Sequence, residues 1–462
     1  MCGKQKIRQR SWPGYNRLEA ESNPEARSMF ERETDLKDGA DLFGAILERN
    51  NLNRAYKQVK RNGGAPGIDG MTVDRLLTHL REHKESFLES LRNETYRPQA
   101  VRRVEIPKPD GGVRLLGVPT VTDRMLQQAI SQVLSPIYET EFSENSYGFR
   151  PGRSAHQAIR QAQEYYNQGY HRVVDLDLSK YFDSINHELL MNMLRKVIPD
   201  QRVLHLIKRY LKSGVMINGV RQRTEEGSPQ GGNLSPLLSN IYLTALDREL
   251  ERRGHKFVRY ADDVNIYVKT QRAAERVLKS VTEFLETKLK LKVNEAKSKA
   301  GSPLKLKFLG FAMHSSRTGK AGIRLHKKSI VRFKNKVREL TRRNQGRSIE
   351  FVLMKLRQYT NGWLNYYAIA DMKTFTQQCS EWIRRKIRTY IWKQWKRIRT
   401  KFENLQKLGI PKSKAWEWAN TRKGYWHTAN SWILTRSLTN QRLAELGYDD
   451  IYVRYKALHS NY

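Results

Sequence analysis

Residues 257–270 read FVRYADDVNIYVKT, and the two adjacent carboxylates at their centre constrain the fold more than any other feature of the chain. Phe257 before the pair, and Val264, Ile266 and Val268 after it, keep the period of two of a half-buried strand. Asp262 and Asp263 therefore fall at the tip of a hairpin. Two like charges about 4 Å apart repel by about 4 kcal/mol at an effective dielectric of 20. Asp-Asp is also a good turn dipeptide, so the pair alone leaves a plain turn and a cation site both open.

The pair sits in a chain with the opposite charge balance. Its 462 residues carry 85 Lys+Arg against 47 Asp+Glu, a formal net charge of +38. Phosphates neutralise such an excess, which makes nucleic acid the expected partner. The length predicts two or three domains. No run approaches the ~20 apolar residues of a membrane span, and the basic N-terminus lacks the apolar core of a secretory signal. Cys2 and Cys379 are the only cysteines, which excludes a disulfide scaffold and a cysteine-based zinc site and favours a reducing, cytoplasmic setting.

Along the chain, residues 1–40 are polar and aperiodic, and a disordered or loosely docked tail is expected. LFGAILERNNLNRAYKQVKRN reads as helix up to the Gly-rich loop 63–70. From about 100 to 312 short strands alternate with helices. VRRVEIPKPDGGVRLLGVPT predicts a hairpin turning at Asp110-Gly111-Gly112. RAAERVLKSVTEFLETKLK predicts a helix burying Val277, Val281, Phe284, Leu285 and Leu289. Beyond 320 the periodicity is helical. Ile330 to Leu340 mark one helix and Ile349 to Tyr367 a second. A third is marked from Phe375 through Ile391 to Ile398 and Phe402. Residues 321–400 hold 21 Lys/Arg and 4 Asp/Glu, and eight of the nine Trp follow residue 360. Most of those rings belong in a core; the basic faces suit a nucleic-acid backbone.

Two-metal phosphoryl transfer needs carboxylates from more than one strand. VVDLDLSKYFDSINH supplies a third: Asp177 ends an apolar strand of Val173, Val174 and Leu176 much as the pair ends its own. Asp175 shares its face and competes for the role, whereas Asp183 lies beyond the strand.

At this point the sequence resembles reverse transcriptases. Tyr260-Ala261-Asp262-Asp263 is similar to their catalytic box and DLSKYFD (177–183) to their first carboxylate motif. IPKPDGGVRLLGVP (106–119), SYGFRPGRSAHQAI (146–159), SPQGGNLSPLLSNIYL (228–243), LKVNEAKSK (291–299) and KFLGF (307–311) follow in the family's order. LRQYTNGWLNYY (356–367) resembles the maturase-type thumb of bacterial group II intron-encoded members. The residues up to 462 hold no Cys/His pairs of the kind found in the family's endonuclease domain, and the resemblance implies the compact, endonuclease-lacking class.

The resemblance implies an α+β right-hand polymerase: fingers and palm over 41–315, an all-α thumb over 320–405, and a small basic C-terminal nucleic-acid-binding segment over 406–462. It implies two Mg²⁺ ions, with Mn²⁺ able to substitute, held by Asp177, Asp262, Asp263 and the Leu178 carbonyl. Phe182 would sit beneath the sugar and exclude a 2′-OH, or else simply pack in the core. Lys108, Arg114, Gln230 and Lys297 would meet the incoming nucleotide, although Lys108 and Arg114 could as well be solvated turn residues and Gln230 part of a plain loop before a helix. Arg150 and Arg153 would face the template. Tyr260, Phe308, Leu309 and Gly310 would hold template and primer, with a buried edge strand as the plainer reading of 308–311. The implied partners are an RNA template from the parent intron, a DNA or RNA primer, dNTPs and target DNA, with no membrane, in the bacterial cytoplasm. Three rivals remain at this stage: a non-enzymatic splicing factor, a reverse transcriptase adapted to phage defence or repair, and an RNA-templated RNA polymerase, which Phe182 opposes.

Overall fold

The computed structural model describes residues 41–107, 112–217, 220–222, 226–228, 231–316 and 319–462. The 1–40 tail, Lys108, Gln230 and Asp110-Gly111 of the expected turn lie outside the described residues.

The helix expected over 42–62 is in fact two, α1 (Leu42–Leu47) and α2 (Arg49–Asn62), broken at Glu48, where ψ is 136°. Asn51 gives the reason. Its side-chain amide donates to the carbonyls of Ile46 and Ala129, at 3.0 and 3.1 Å. That tertiary tie leaves no trace in the apolar period. After α3 (Leu76–Arg92), β1 (Val101–Pro107) and β2 (Val113–Val118) form the expected hairpin, with Pro107 opposite Val113. With β4 (Val215–Ile217) and β5 (Val220–Gln222) they build a sheet of order β2-β1-β4-β5.

Between those strands lie α4 (Val121–Glu139), α5 (Ala155–Asn167), β3 (Arg172–Leu176), α6 (His187–Arg195) and α7 (Gln201–Leu211). The chain continues through α8 (Ser235–Arg252), β6 (Lys256–Tyr260), β7 (Asp263–Val268), α9 (Gln271–Thr287) and β8 (Lys299–Gly301). These make the second sheet, of order β6-β7-β3-β8, with every neighbouring pair antiparallel. Alternation gives its strands two unlike faces. Val174, Leu176, Val264, Ile266 and Val268 join the main core, against helices that include α9 through Val277, Val281 and Leu285. On the opposite face Val173, Val258 and Tyr267 pack against Ala158, Ala162 and Tyr165 of α5. Farther along that second face the strands carry Asp175 and Asp177, Asn265 and Asp263. One face is thus apolar at one end and acidic at the other.

The hairpin of β9 (Phe311–Ser315) and β10 (Ala321–Leu325) leads into α10 (Lys327–Leu340) and α11 (Ile349–Tyr367). The third expected helix is again two, α12 (Lys373–Gln394) and α13 (Ile398–Lys407). Short helices follow to His459. A single apolar cluster runs from Phe311 and Phe333 through Trp392 to Leu434, Ile451 and Tyr455, so the residues after 406 share the core of the preceding helices. Trp392 and Trp418 are buried there, while Trp416, Trp426 and Trp432 are exposed. Among the described residues no helix is long and apolar enough to cross a membrane.

Candidate active site

Strand register brings the three carboxylates together. Leu176 pairs with Val264, so Asp177 leaves β3 beside the end of β7 at which Asp263 stands. Tyr260 pairs with Asp263, closing a turn of Ala261 and Asp262, with Ala261 at a φ of +57°. The segment 292–298 fixes the backbone around Asp177. The Asp177 N–H donates to Ser298 Oγ at 3.1 Å, its carbonyl accepts the Asn294 N–H at 2.8 Å, and Ser179 N–H donates to the Lys292 carbonyl at 2.9 Å. Leu178 bridges Val293. The LKVNEAKS motif thus holds the first carboxylate strand in place, a role its sequence does not announce.

The electrostatics are those of crowded anions. Desolvation, then Asp262 and Asp177, push the Asp263 carboxyl up to about 6, against the pull of Lys307. Asp262 is raised by desolvation and by Asp177, while its own backbone N–H, Arg114 and Arg259 work the other way. Asp175 is pushed up to about 7 by desolvation, Asp263 and Asp177, with Lys307 and Lys299 opposing. With its amide turned to satisfy both neighbours, Asn265 donates to Asp175 Oδ1 at 3.0 Å. Each of these shifts begins with burial, and the neighbouring carboxylates add to it.

Hard oxygen donors without His or Cys suit Mg²⁺ or Mn²⁺, and the raised carboxyls are what a divalent cation would lower. The donor chemistry fits. The array, however, is open: among the described residues no three His, Cys, Asp or Glu side chains already form a ligating cluster.

Arg114 lies on β2, exposed, with its charge felt at Asp262. Phe182, in the short turn Tyr181–Asp183, is half-buried; its ring stands 5.2 Å from that of Tyr181, and its carbonyl accepts the Ser228 N–H at 2.7 Å. Ser228 therefore lies beside Phe182. A Cβ on Gly227 would lie 2.9 Å from the Asp183 carbonyl, which explains a glycine there at φ +90°. Lys297 is exposed, and the lysines felt at the carboxylates are instead Lys307 and Lys299.

The two arginines expected to face the template do not stand free. Arg150 turns inward, its side chain 2% exposed and paired with Glu139 at 2.7 Å. Its remaining donors reach the carbonyls of Ser143 and Ser146 at 2.5 and 2.8 Å. The positive φ of the preceding Phe149, +59°, reverses the direction of the chain and leaves the Phe149 ring exposed in its place. Arg153 pairs with Glu144 and lies over the Tyr147 ring at 5.7 Å.

Tyr260 is half-buried at the tip. Phe308-Leu309-Gly310 forms a tight hairpin in which Phe308 and Phe311 exchange backbone hydrogen bonds of 3.0 and 2.8 Å. Leu309 and Gly310 have φ of +49° and +90°. Helix α11 grips it: Tyr366 Oη donates to the Leu309 carbonyl at 2.9 Å. Tyr366 in turn feels the charge of Asp263, so the hairpin and the helix both border the carboxylates. Tyr366 and Lys307 were in view within the quoted motifs, but no spacing rule marks them as neighbours of Asp263.

A carboxylate-tipped sheet of this register, beside a second sheet and a helical domain, defines a nucleic-acid polymerase. Residues 106–313 match the family described as "Reverse transcriptase (RNA-dependent DNA polymerase)", and 330–409 match "Group II intron, maturase-specific domain". The chain is 35% identical to Protein YkfC of Escherichia coli over 56% of its own length and 78% of the relative's. It is 30% identical to the group II intron-encoded protein LtrA of Lactococcus lactis over 60% of its length and 57% of LtrA's, so it spans little more than half of that relative. Among solved structures, a partial Cas6-RT-Cas1–Cas2 complex aligns with 54% of this chain and 43% of its own at 28% identity and a TM-score of 0.36. The chain belongs to the group II intron-encoded reverse transcriptase and maturase family. It is thus an RNA-directed DNA polymerase by class, with domains that imply binding of an RNA template, in a family that generally uses divalent metal ions.

Proposed function

We propose that the protein extends a primer 3′-OH with dNTPs on an RNA template, using Asp177, Asp262, Asp263 and the Leu178 carbonyl to hold two Mg²⁺ or Mn²⁺ ions. Bound there, the ions would activate the primer hydroxyl and neutralise charge on the departing pyrophosphate. The chain's own part is to aim the carboxylates and to orient the nucleotide. Arg114 offers a cation to the triphosphate, with Lys108 and Lys297 as further candidates. Phe182 presents its ring to the sugar, and Gln230 is a further candidate for meeting the nucleotide. The hairpin 308–310, held by Tyr366, seats the primer end. In this reading 41–315 serve as fingers and palm, 320–405 as thumb, and 406–462 as a basic extension of it. The parent intron's RNA is the proposed template and splicing ligand, target DNA the proposed acceptor, and the bacterial cytoplasm the proposed compartment.

The single observation carrying the reading is the Leu176–Val264 register, which sets Asp177 beside the Asp262–Asp263 turn. With poly(rA), oligo(dT), dTTP and Mg²⁺, the purified protein should extend the primer and Asp262→Ala should lose at least ~10³-fold in rate, a loss on the scale of removing a principal electrostatic contributor. Synthesis undiminished in that variant would refute the metal-holding role of Asp262, whereas no extension by the wild type would leave a splicing factor. Phe182→Ala should admit ribonucleotides by relieving the collision with the 2′-OH. Unchanged dNTP-over-rNTP preference would return Phe182 to a packing role.

A further inference from the structure

The turn that carries Asp262 has a conformational problem, since Ala261 holds a φ of +57°, a region that penalises any residue with a Cβ. Directly behind it lies a charged cluster that the proposed chemistry does not use. Arg259, Asp247 and Asn240 are each 0% exposed. Arg259 Nε and Nη2 donate to the two Asp247 carboxylate oxygens at 2.7 and 2.5 Å. Its Nη1 donates both to Asn240 Oδ1, at 2.9 Å, and to the Ala261 carbonyl, at 3.1 Å.

The cluster extends to a second backbone. Asn240 Nδ2 donates to the Gly148 carbonyl at 2.9 Å, and a Cβ on Gly148 would come within 2.2 Å of the Ala261 nitrogen. Arg259 itself bonds this segment through its main chain, to Asn145 and from Tyr147, both at 2.9 Å. The catalytic turn is therefore pressed between the 145–148 backbone and a guanidinium that grips its carbonyl.

Fold stability alone gives a poor account of this. A fully buried ion pair is often matched in stability by apolar residues of similar volume. Apolar replacements, however, could not hold the carbonyl of a strained, loop-positioned alanine. We infer that Asp247, Arg259 and Asn240 are positioning residues whose shared task is to clamp the Ala261 carbonyl and so fix Asp262 and Asp263 relative to Asp177. Asp247 orients the guanidinium, Asn240 ties it to Gly148, and Arg259 delivers the contact to the turn. None of the three touches substrate.

The inference rests on the polymerase reading, and the test separates the two. In the full chain, Asp247→Leu combined with Arg259→Met removes the clamp and keeps the volume. This double variant should melt cooperatively near the wild-type temperature. On poly(rA)·oligo(dT), its kcat should fall at least ten-fold and its half-maximal Mg²⁺ concentration should rise, with KM for the primer–template unchanged. A purely structural role would move none of these in a folded protein. Arg259→Lys provides the second arm. It preserves the charge opposite Asp247 but cannot reach Asp247, Asn240 and Ala261 together, and the same losses are expected. Folded variants with wild-type kcat and Mg²⁺ dependence would overturn the clamp. Failure of the wild type to extend the primer would instead remove the polymerase reading itself.

Discussion

Asp263 shows how a single residue can weaken the fold where it serves the chemistry. Its carboxyl is pushed up to about 6, whereas an Asp in the unfolded chain titrates near about 3.9. Between those values the folded state holds the proton more tightly. The stabilising contribution is complete below about pH 4 and is lost as pH rises through 6. In metal-free protein, the melting temperature of wild type relative to Asp263→Asn should therefore fall across that window, by a few degrees in total. Added Mg²⁺ at pH 7 should recover stability in wild type and not in the variant. Calorimetry in chelator, then in Mg²⁺, checks both; a pH-independent difference would mean that burial and the neighbouring carboxylates do not raise the Asp263 carboxyl. At the same scale, Asp262, Asp263 and Asp177 were legible because adjacency and strand-end position are properties of the text. Arg150 was not. Nothing in GFRPGRS says that the chain reverses at Phe149 and buries the guanidinium against Glu139.

Among the elements, the 308–311 hairpin most directly links the carboxylate sheet to the helices that follow it. Its glycine is required twice over, by a φ of +90° and by the Tyr367 hydroxyl, which a Cβ on Gly310 would meet at 2.5 Å. Gly310→Ala should cost about 2 kcal/mol of stability and raise KM for the primer–template more than it lowers kcat. Primer-extension kinetics with thermal melting measure the two together, and an unchanged KM would place the hairpin away from the primer. The FLGF motif supplied this hairpin's location. That α11 covers it through Tyr366 required the two to be packed. The broken helices make the same point. The apolar period ran through Glu48 and through 395–397 because the same faces continue on both sides of each break. What interrupts α1–α2 is Asn51, bonded to Ala129, a residue 78 positions away.

In the whole molecule, the shared core beyond residue 311 sets what can be removed. Leu434, Leu443, Ile451 and Tyr455 pack in the same cluster as Phe333, Ile383 and Trp392. A chain ending at residue 409 would expose that cluster's outer half. It should lose cooperative melting of the helical region and aggregate, even though the carboxylate sheet retains its own core. Scanning calorimetry of the truncated chain decides this, and an unaltered upper transition would show the last helices to be independent.

Residue types and their periods determined, without any structure, that this chain is a basic, nucleic-acid-binding α+β protein with a hairpin tipped by two carboxylates. They determined this because alternation, helical period and charge are local quantities written into consecutive residues. Only the tertiary structure decided which basic side chains stand near those carboxylates, which arginines are buried, and what bonds the carbonyl of the strained alanine in their turn. Those are distances between segments far apart in the chain, fixed by packing and by the pairing of buried polar groups.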